Sequence, residues 1–343
     1  MKKMNQKLYP FTAIVGQEKM KKALLLNVIN PQIGGVLIRG EKGTAKSTAV
    51  RALVDLLPTK KVIKGCKFNC EASGKSGLCK ACKEQMAHKE LETENKKMKV
   101  VELPIGCTED RTIGTLDIEQ AIKTGEKKFE GGILAQANGN ILYVDEVNLL
   151  NDHIVDVLLD VAAMGVNHVE REGVSYEHPS KFILIGTMNP EEGDLRPQLL
   201  DRFGLVVDVF SEHNVSDRVE VIKRRLLFEQ NPEVVIEAYK EKQGLLSKKI
   251  EKAKKLLDKV VIDDALLALT AEIVIELGVE GHRGDITIIK TSKTIAAFDG
   301  RGEVTREDLL DAAEMVLPHR MRTLPFEEGV LSKDALKKWI ERE

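Results

Sequence analysis

Apolar residues recur along the chain in two rhythms, and the change between them falls near residue 230. Before it, short solid apolar runs alternate with amphipathic helical stretches. The runs are GVLIRG (35–40), KVVEL (99–103), NILYVDE (140–146), KFILIGTMN (181–189) and LVVDVF (205–210). They are rich in Val, Ile and Leu and lack strict alternation, as strands covered on both faces do. Such strands separated by helices predict an α/β fold, a parallel sheet with helices on both faces and functional residues at the carboxyl ends of its strands. After residue 230, EVVIEAYKEKQGLLSKKIEKAKKLLDKVV keeps a helical period without strand character, and helical signals continue to the end. Thr305, followed by acidic residues in GRGEVTREDLLDAAEMV (300–316), is the expected N-cap of one of these helices. The pattern therefore predicts an α/β core over 1–230 and a helical linker with an all-α C-terminal domain over 231–343.

Composition narrows the class. The chain has 343 residues, 43% of them hydrophobic, enough for one large core or two ordinary ones. Its 52 basic and 54 acidic residues leave a net charge of -2, so long-range charge selects neither for nor against nucleic acid. Gly and Pro are ordinary and no stretch is low-complexity, which excludes collagen-like and disordered classes. MKKMNQKLYPFTAIVGQ has lysines but no apolar h-region behind them, and no run approaches the roughly 18 apolar residues of a membrane span. The expectation is a soluble, cytoplasmic protein with no membrane partner.

The strongest chemical signal is Gly40-Glu41-Lys42-Gly43-Thr44-Ala45-Lys46-Ser47, with Thr48 next, between the strand VLIRG and the helical run STAVRALVDLL. Inward-pointing amides of such a loop wrap phosphate oxygens, Lys46 neutralises the β and γ phosphates, and Ser47 offers a hydroxyl to Mg²⁺. Ala45 stands where a P-loop usually has glycine, a substitution that is unfavourable only if the position needs φ > 0. A glycine-rich turn without a ligand is the plainer reading of this segment alone. A hundred residues on, ILYV runs into Asp145-Glu146, with Asn148 following. Two carboxylates ending a buried strand are costly unless they meet a cation. Asp145 would hold Mg²⁺ and Glu146 would polarise the attacking water.

A third apolar run ends in Asn189, a neutral side chain suited to orienting water near a γ-phosphate. LRPQLLDRFGL then sets Arg196 and Arg202 at either end of a short helix. Arginine's always-protonated fork suits the developing charge of phosphoryl transfer. An outward-facing Arg202 would serve a neighbour's nucleotide and imply a ring; a salt bridge with Asp201 or Asp208 is the plainer alternative. In the helical half, GHRGDI sets Arg283 just before a helix, a second arginine near phosphate or else a surface contact.

Four of the five cysteines crowd into Cys66-x3-Cys70-x8-Cys79-x2-Cys82. Two close thiolate pairs suit tetrahedral Zn²⁺, and an iron–sulfur cluster such as [4Fe-4S] would accept the same four. The alternative is four free thiols in a solvated, mobile insert over 60–99, where eleven lysines meet five acidic residues. Aromatics are nearly absent there, which disfavours a nucleic-acid patch. Cys107 is expected to be a lone buried thiol.

These elements, in this order, resemble the AAA+ ATPases, and more closely the motor-subunit family of the magnesium and cobalt chelatases. The resemblance is carried by FTAIVGQEKMKKALLLNVINPQIGGVLIRGEKGTAKSTAVRAL, LPIGCTEDRTIGTLDIEQAI, FEGGILAQANGNILYVDEVNLL and VNHVEREGVSYEHPSKFILIGTMNPEEGDLRPQLLDRFGL. GHRGDI and VLPHRMR complete it. It implies ATP with Mg²⁺ as cofactor, Lys46 and Ser47 on phosphate and metal, and Asp145 and Glu146 as the Walker B pair. Asn189 becomes sensor 1, Arg202 the arginine finger and Arg283 sensor 2, acting on its own or a neighbour's nucleotide; Val15, Gly16 and Gln17 flank the adenine. Residues 105–133 form an insert and 166–182 a hairpin before sensor 1. The resemblance further implies a hexameric ring, a D-type AAA+ partner with an integrin-like domain, and a large H-type subunit that holds the tetrapyrrole. A helicase-type motor is a weaker reading, because NHVEREGVSYEHPSK has no excess of bases, with three acids against two lysine or arginine residues, and one aromatic residue. A transcription activator is weaker still, since 105–133 lacks an aromatic loop tip.

Overall fold

In a computed structural model of the chain, the described residues are 7–72, 77–86, 91–116, 129–171, 174–212 and 214–321. The middle of the expected insert at 105–133 and the chain beyond 321 lie outside them. In chain order the elements begin α1 (Glu18–Ile29), β1 (Val36–Gly40), α2 (Lys46–Ala52), β2 (Lys60–Ile63), α3 (Lys80–Met86), β3 (Thr93–Lys96) and β4 (Val100–Leu103). Then come α4 (Glu109–Ile113), β5 (Gly114–Leu116), β6 (Phe129–Gly131), α5 (Ile133–Ala137), β7 (Ile141–Val144), α6 (Asp152–Met164), β8 (Val166–Arg171), β9 (Val174–Pro179) and β10 (Ile183–Met188). The remainder is α7 (Pro197–Arg202), β11 (Leu205–Val209), α8 (Val215–Gln230), α9 (Pro232–Leu256), α10 (Asp264–Glu276), α11 (Arg283–Phe298) and α12 (Arg306–Val316).

The chain divides into two compact units, Met1–Leu56 with Asn189–Glu343, and Leu57–Met188. In the first, β1 and β11 run parallel in the register Val36↔Leu205 to Gly40↔Val209, and α1 packs on β11 and on α11. A side chain at Gly40 would sit 2.2 Å from the Val209 carbonyl oxygen, so the strand that enters the phosphate loop is held against its neighbour by having none there. The helices after residue 230 form as the lysine-rich pattern predicts: α9 packs against α8 and α11, and α11 against α12. Thr305 caps α12 in a reciprocal box with Asp308, whose carboxylate also takes both Arg301 Nη atoms at 2.6 Å.

In the second unit β4, β7 and β10 are parallel, and every residue of β7 and β10 is buried. That explains their unbroken apolar sequence. Helix α6 starts on an Asn151 cap and ends on Gly165 in the left-handed region. β8 and β9 make an antiparallel hairpin, in the span where one is expected, and buried Asn167 on β8 reaches the Ile113 carbonyl at 2.8 Å.

The described residues of 60–96 depart from the expectation of a solvated, mobile insert. β2 and β3 pair antiparallel, α3 lies between them in sequence, and Ile63, Phe68, Cys70, Leu78, Cys79, Cys82 and Ala135 form a separate buried cluster. The polar lysines conceal in sequence a small apolar set, spaced irregularly, that closes only in three dimensions.

Candidate active site

The phosphate loop is the turn from β1 into α2. Thr44 is buried and its hydroxyl donates to the Glu41 carbonyl at 2.9 Å. Lys46 Nζ donates to the carbonyls of Gly40 and Glu41, the latter at 2.9 Å, so the ammonium lies across the loop's own backbone. Ala45 adopts φ +59°, in the left-handed region, so here the methyl is borne at a position that favours glycine. The loop's donor set fits a nucleotide phosphate: backbone turned by two positive-φ residues, Gly43 and Ala45, with a lysine and a serine at the helix start.

The same unit gathers most of the other predicted residues. Gly16 and Gln17 are both left-handed; Gln17 Nε2 donates to the Phe210 carbonyl at 2.8 Å, and a Cβ at Gly16 would collide with the Glu212 carboxylate. Lys42 pairs with Glu192 at 2.5 Å, joining the loop to the turn that follows Asn189. Buried Asn189 caps that turn, its Oδ1 accepting from the Glu191 amide at 3.3 Å.

Arg196 and Arg202 bound α7 as expected, and Arg202 is half-buried. The two acids weighed as its partners also take other arginines. Asp208 takes Arg39 through two bonds of 2.8 and 2.9 Å, and Asp201 takes Arg283 at 2.6 Å and Arg320 at 3.1 Å. Arg320 was not singled out from the sequence. It is 8% exposed and donates further to the carbonyls of Asp201, Phe203, Gly204 and Val316. Burial pushes its pKa down to about 10 against the pull of Asp201. Burial, reinforced by the adjacent Arg320 charge, also holds His319 well below the usual histidine range; its Nε2 meets the Phe203 carbonyl at 3.2 Å. The clue available in sequence was a His-Arg pair inside an otherwise apolar VLPHRM segment.

The carboxylate pair is built within the second unit. Tyr143 and Thr187, both buried, donate to the same oxygen of Asp145 at 2.8 and 2.6 Å, and the Glu146 amide donates to Thr187 Oγ1 at 3.3 Å. These two hydroxyls set the carboxylate's orientation, and sequence reading passed over them as strand core. The pair is not buried as the strand pattern suggested: Asp145 is exposed and Glu146 half-buried, because β7 ends at Val144. The cost falls instead on the backbone, with Glu146 at φ +54°. This donor set, one fixed carboxylate and one held by a strained turn, fits a Mg²⁺ ligand beside a water-activating base.

Cys66, Cys70, Cys79 and Cys82 converge, with all four sulfurs within 4.8 Å of one another, while Cys107 is buried apart and takes the Thr112 hydroxyl at 3.4 Å. Hydrogen bonds with Cys70 and Cys79 lower the Cys66 thiol pKa, and the same pairing raises Cys70.

Two family models match this chain, the AAA domain of the dynein-related subfamily over residues 73–203 and the AAA lid domain over 267–339. Fold and nucleotide loops thus define an AAA ATPase with a helical lid. The chain is 62% identical over 335 residues to the magnesium-chelatase subunit ChlI homolog of Methanocaldococcus jannaschii, covering 98% of this chain and 91% of that one. It is 50% identical to magnesium-chelatase subunit ChlI of Nostoc sp., covering 93% and 86%. A structure of the BchI–BchD complex of magnesium chelatase, based on cryo-electron microscopy, matches with TM-score 0.55 and 45% identity over 93% of this chain and 98% of that one. The chain belongs to the ChlI/BchI family of magnesium-chelatase subunits. No helix among the described residues is long and apolar enough to cross a membrane.

Proposed function

We propose that this chain is the ATP-hydrolysing motor of a chelatase that inserts a divalent metal, Mg²⁺ by similarity, into a tetrapyrrole held by a separate large H-type subunit. It would act as a homo-oligomeric ring, hexameric in the family pattern, docked on a D-type subunit in the cytoplasm; a cobalt-chelatase motor is the near variant of the same reading. The near-full-length similarity to magnesium-chelatase subunits carries this reading, because it spans every nucleotide motif. A nucleic-acid motor gains nothing from the hairpin, whose segment carries three acids against two lysine or arginine residues.

Bound MgATP supplies the γ-phosphoryl group and the cation that neutralises its charge. The protein's own part is positional. Lys46 would turn from its loop carbonyls to the phosphates, and the Ser47 hydroxyl and Asp145 would hold the metal. Glu146 takes a proton from the attacking water, which Asn189 orients. Arg202 of an adjoining copy meets the charge that develops on phosphate, and Arg283, through Asp201, ties the lid to the helix bearing that arginine. The ring is supported by α8, which presents Val215, Val219, Ile222 and Leu226 in one exposed stripe, a face that a second copy can cover.

Glu146→Gln should bind ATP and lose turnover by about 10³-fold, and Arg202→Ala should also lose turnover. Equimolar mixed rings of the two should regain about a quarter of wild-type activity, since random assembly leaves that fraction of shared sites intact. Mixtures no more active than their components would overturn the shared site. Turnover stimulated by DNA and not by a D-type subunit would overturn the chelatase role.

A further inference from the structure

The cysteine module lies outside the nucleotide motifs, and among the described residues it brings four potential ligand atoms within 4.8 Å of one another. Cys66 and Cys70 lie on the loop after β2. Its shape comes from the Cys66 amide on the Ile63 carbonyl at 3.2 Å, the Asn69 amide on the Cys66 carbonyl at 3.3 Å, and left-handed backbone at Gly65 and Asn69. The Ile63 amide returns to the Cys70 carbonyl at 2.9 Å, which closes the loop against the strand. Cys79 and Cys82 sit at the start of α3, one turn apart, so both project to one side.

We propose that Cys66, Cys70, Cys79 and Cys82 hold one structural zinc ion. Zinc bound to four thiolates at about 2.3 Å in a tetrahedron sets its sulfurs about 3.8 Å apart. Here Cys66 and Cys79 are 3.9 Å apart, and the whole set spans no more than 4.8 Å. A disulfide would need about 2.0 Å, and all four cysteines are free. The Cys79 amide donates to Cys70 Sγ at 3.2 Å, the kind of backbone support that a metal-bound thiolate draws from its surroundings. Cys70, Cys79 and Cys82 are buried and Cys66 half-buried, leaving no open position for a substrate, as in structural sites.

Charge and chemistry agree. Four thiolates around one divalent cation make a negative centre, and Lys64, Lys67, Lys80 and Lys83 each stand within two residues of a cysteine. A four-iron cluster interposes iron and sulfide between its thiolates and needs them spread wider than one ion does; the close set here suits a single ion.

The ion's work is to hold Phe68 in place. Phe68 lies between the first two cysteines and stacks on His178 of β9 at 4.8 Å between ring centroids, with Tyr176 at 6.3 Å. Its carbonyl takes the Asn138 side chain at 2.7 Å, three residues before β7 begins its approach to the catalytic carboxylates. Closing the four-cysteine loop thus fixes the hairpin and the entry to β7 from one point.

The test is metal content of the full-length protein, purified without added zinc and analysed by plasma mass spectrometry. One zinc per chain is expected, falling to near zero in Cys70→Ser and Cys79→Ser and remaining at one in Cys107→Ser. Should the loss variants fail to fold, titration of the wild-type protein with an organomercurial answers independently: one zinc, read with a chromogenic chelator, should be released as four thiols react. Cobalt substitution should give the visible bands of a tetrahedral thiolate site. Iron with acid-labile sulfide, or metal-free protein in which all four thiols react freely, overturns the proposal. Neither outcome bears on ATP turnover, so this site stands or falls apart from the motor reading.

Discussion

Lys46 and Arg320 are both cations hydrogen-bonded to backbone carbonyls of the first unit, and they serve opposite ends. Lys46 is half-exposed on two loop carbonyls, so a phosphate can replace those bonds at little cost. Arg320 is almost wholly buried and satisfies four carbonyls and a carboxylate at once, so nothing competes for it. Burial, rather than the identity of the charge, separates an exchangeable cation from a structural clamp. The clamp also carries Asp201, through which Arg283 reaches the helix ending in Arg202.

The largest expected effect tests that contrast directly. Arg320→Ala strips a donor from four carbonyls, of which Phe203 keeps His319, and should lower unfolding free energy by about 3 kcal/mol, whereas Lys46→Ala should stay within about 0.5 kcal/mol of wild type while losing nucleotide affinity. Denaturant titration of both variants decides; equal losses would erase the distinction.

Next in size is pH. His319 has a folded-state pKa below its unfolded value, so between the two the unfolded chain binds more protons. Stability should therefore be full above about pH 6.5 and fall with acidification at up to about 1.4 kcal/mol per unit, levelling below the folded pKa. His319→Gln should flatten that slope in thermal melts recorded from pH 7.5 to 5. A slope unchanged by the substitution assigns the acid sensitivity elsewhere, buried His178 being another histidine held low by burial among the described residues.

The smallest effect belongs to the phosphate loop. Ala45→Gly relieves a left-handed alanine and should stabilise the protein by about 1 kcal/mol. Destabilisation would mean that the loop's turn is not the strained element of the pair.

Much of the fold was legible because a strand covered on both faces must be apolar along its whole length. The five runs from GVLIRG to LVVDVF became β1, β4, β7, β10 and β11 within a residue or two at each end. Thr305 was legible because a helix start needs an oxygen for its free amides. The four cysteines were legible by their spacing, but the packing around them was not, since that core depends on Phe68, Leu78 and Ala135, which share no period. Arg320, Tyr143 and Thr187 were hidden for a related reason: a hydroxyl or guanidinium inside an apolar segment reads the same whether it fills space or aims at a partner.

Residue type and spacing along the chain determined which chemistry this protein carries, because a phosphate loop, a carboxylate pair and four clustered thiols each need particular atoms close together in sequence. Tertiary structure alone decided which charged groups stay exchangeable and which are locked, because that depends on how much water surrounds each one. Neighbours more than a hundred residues away, as Asp201 is from Arg320, set that exposure.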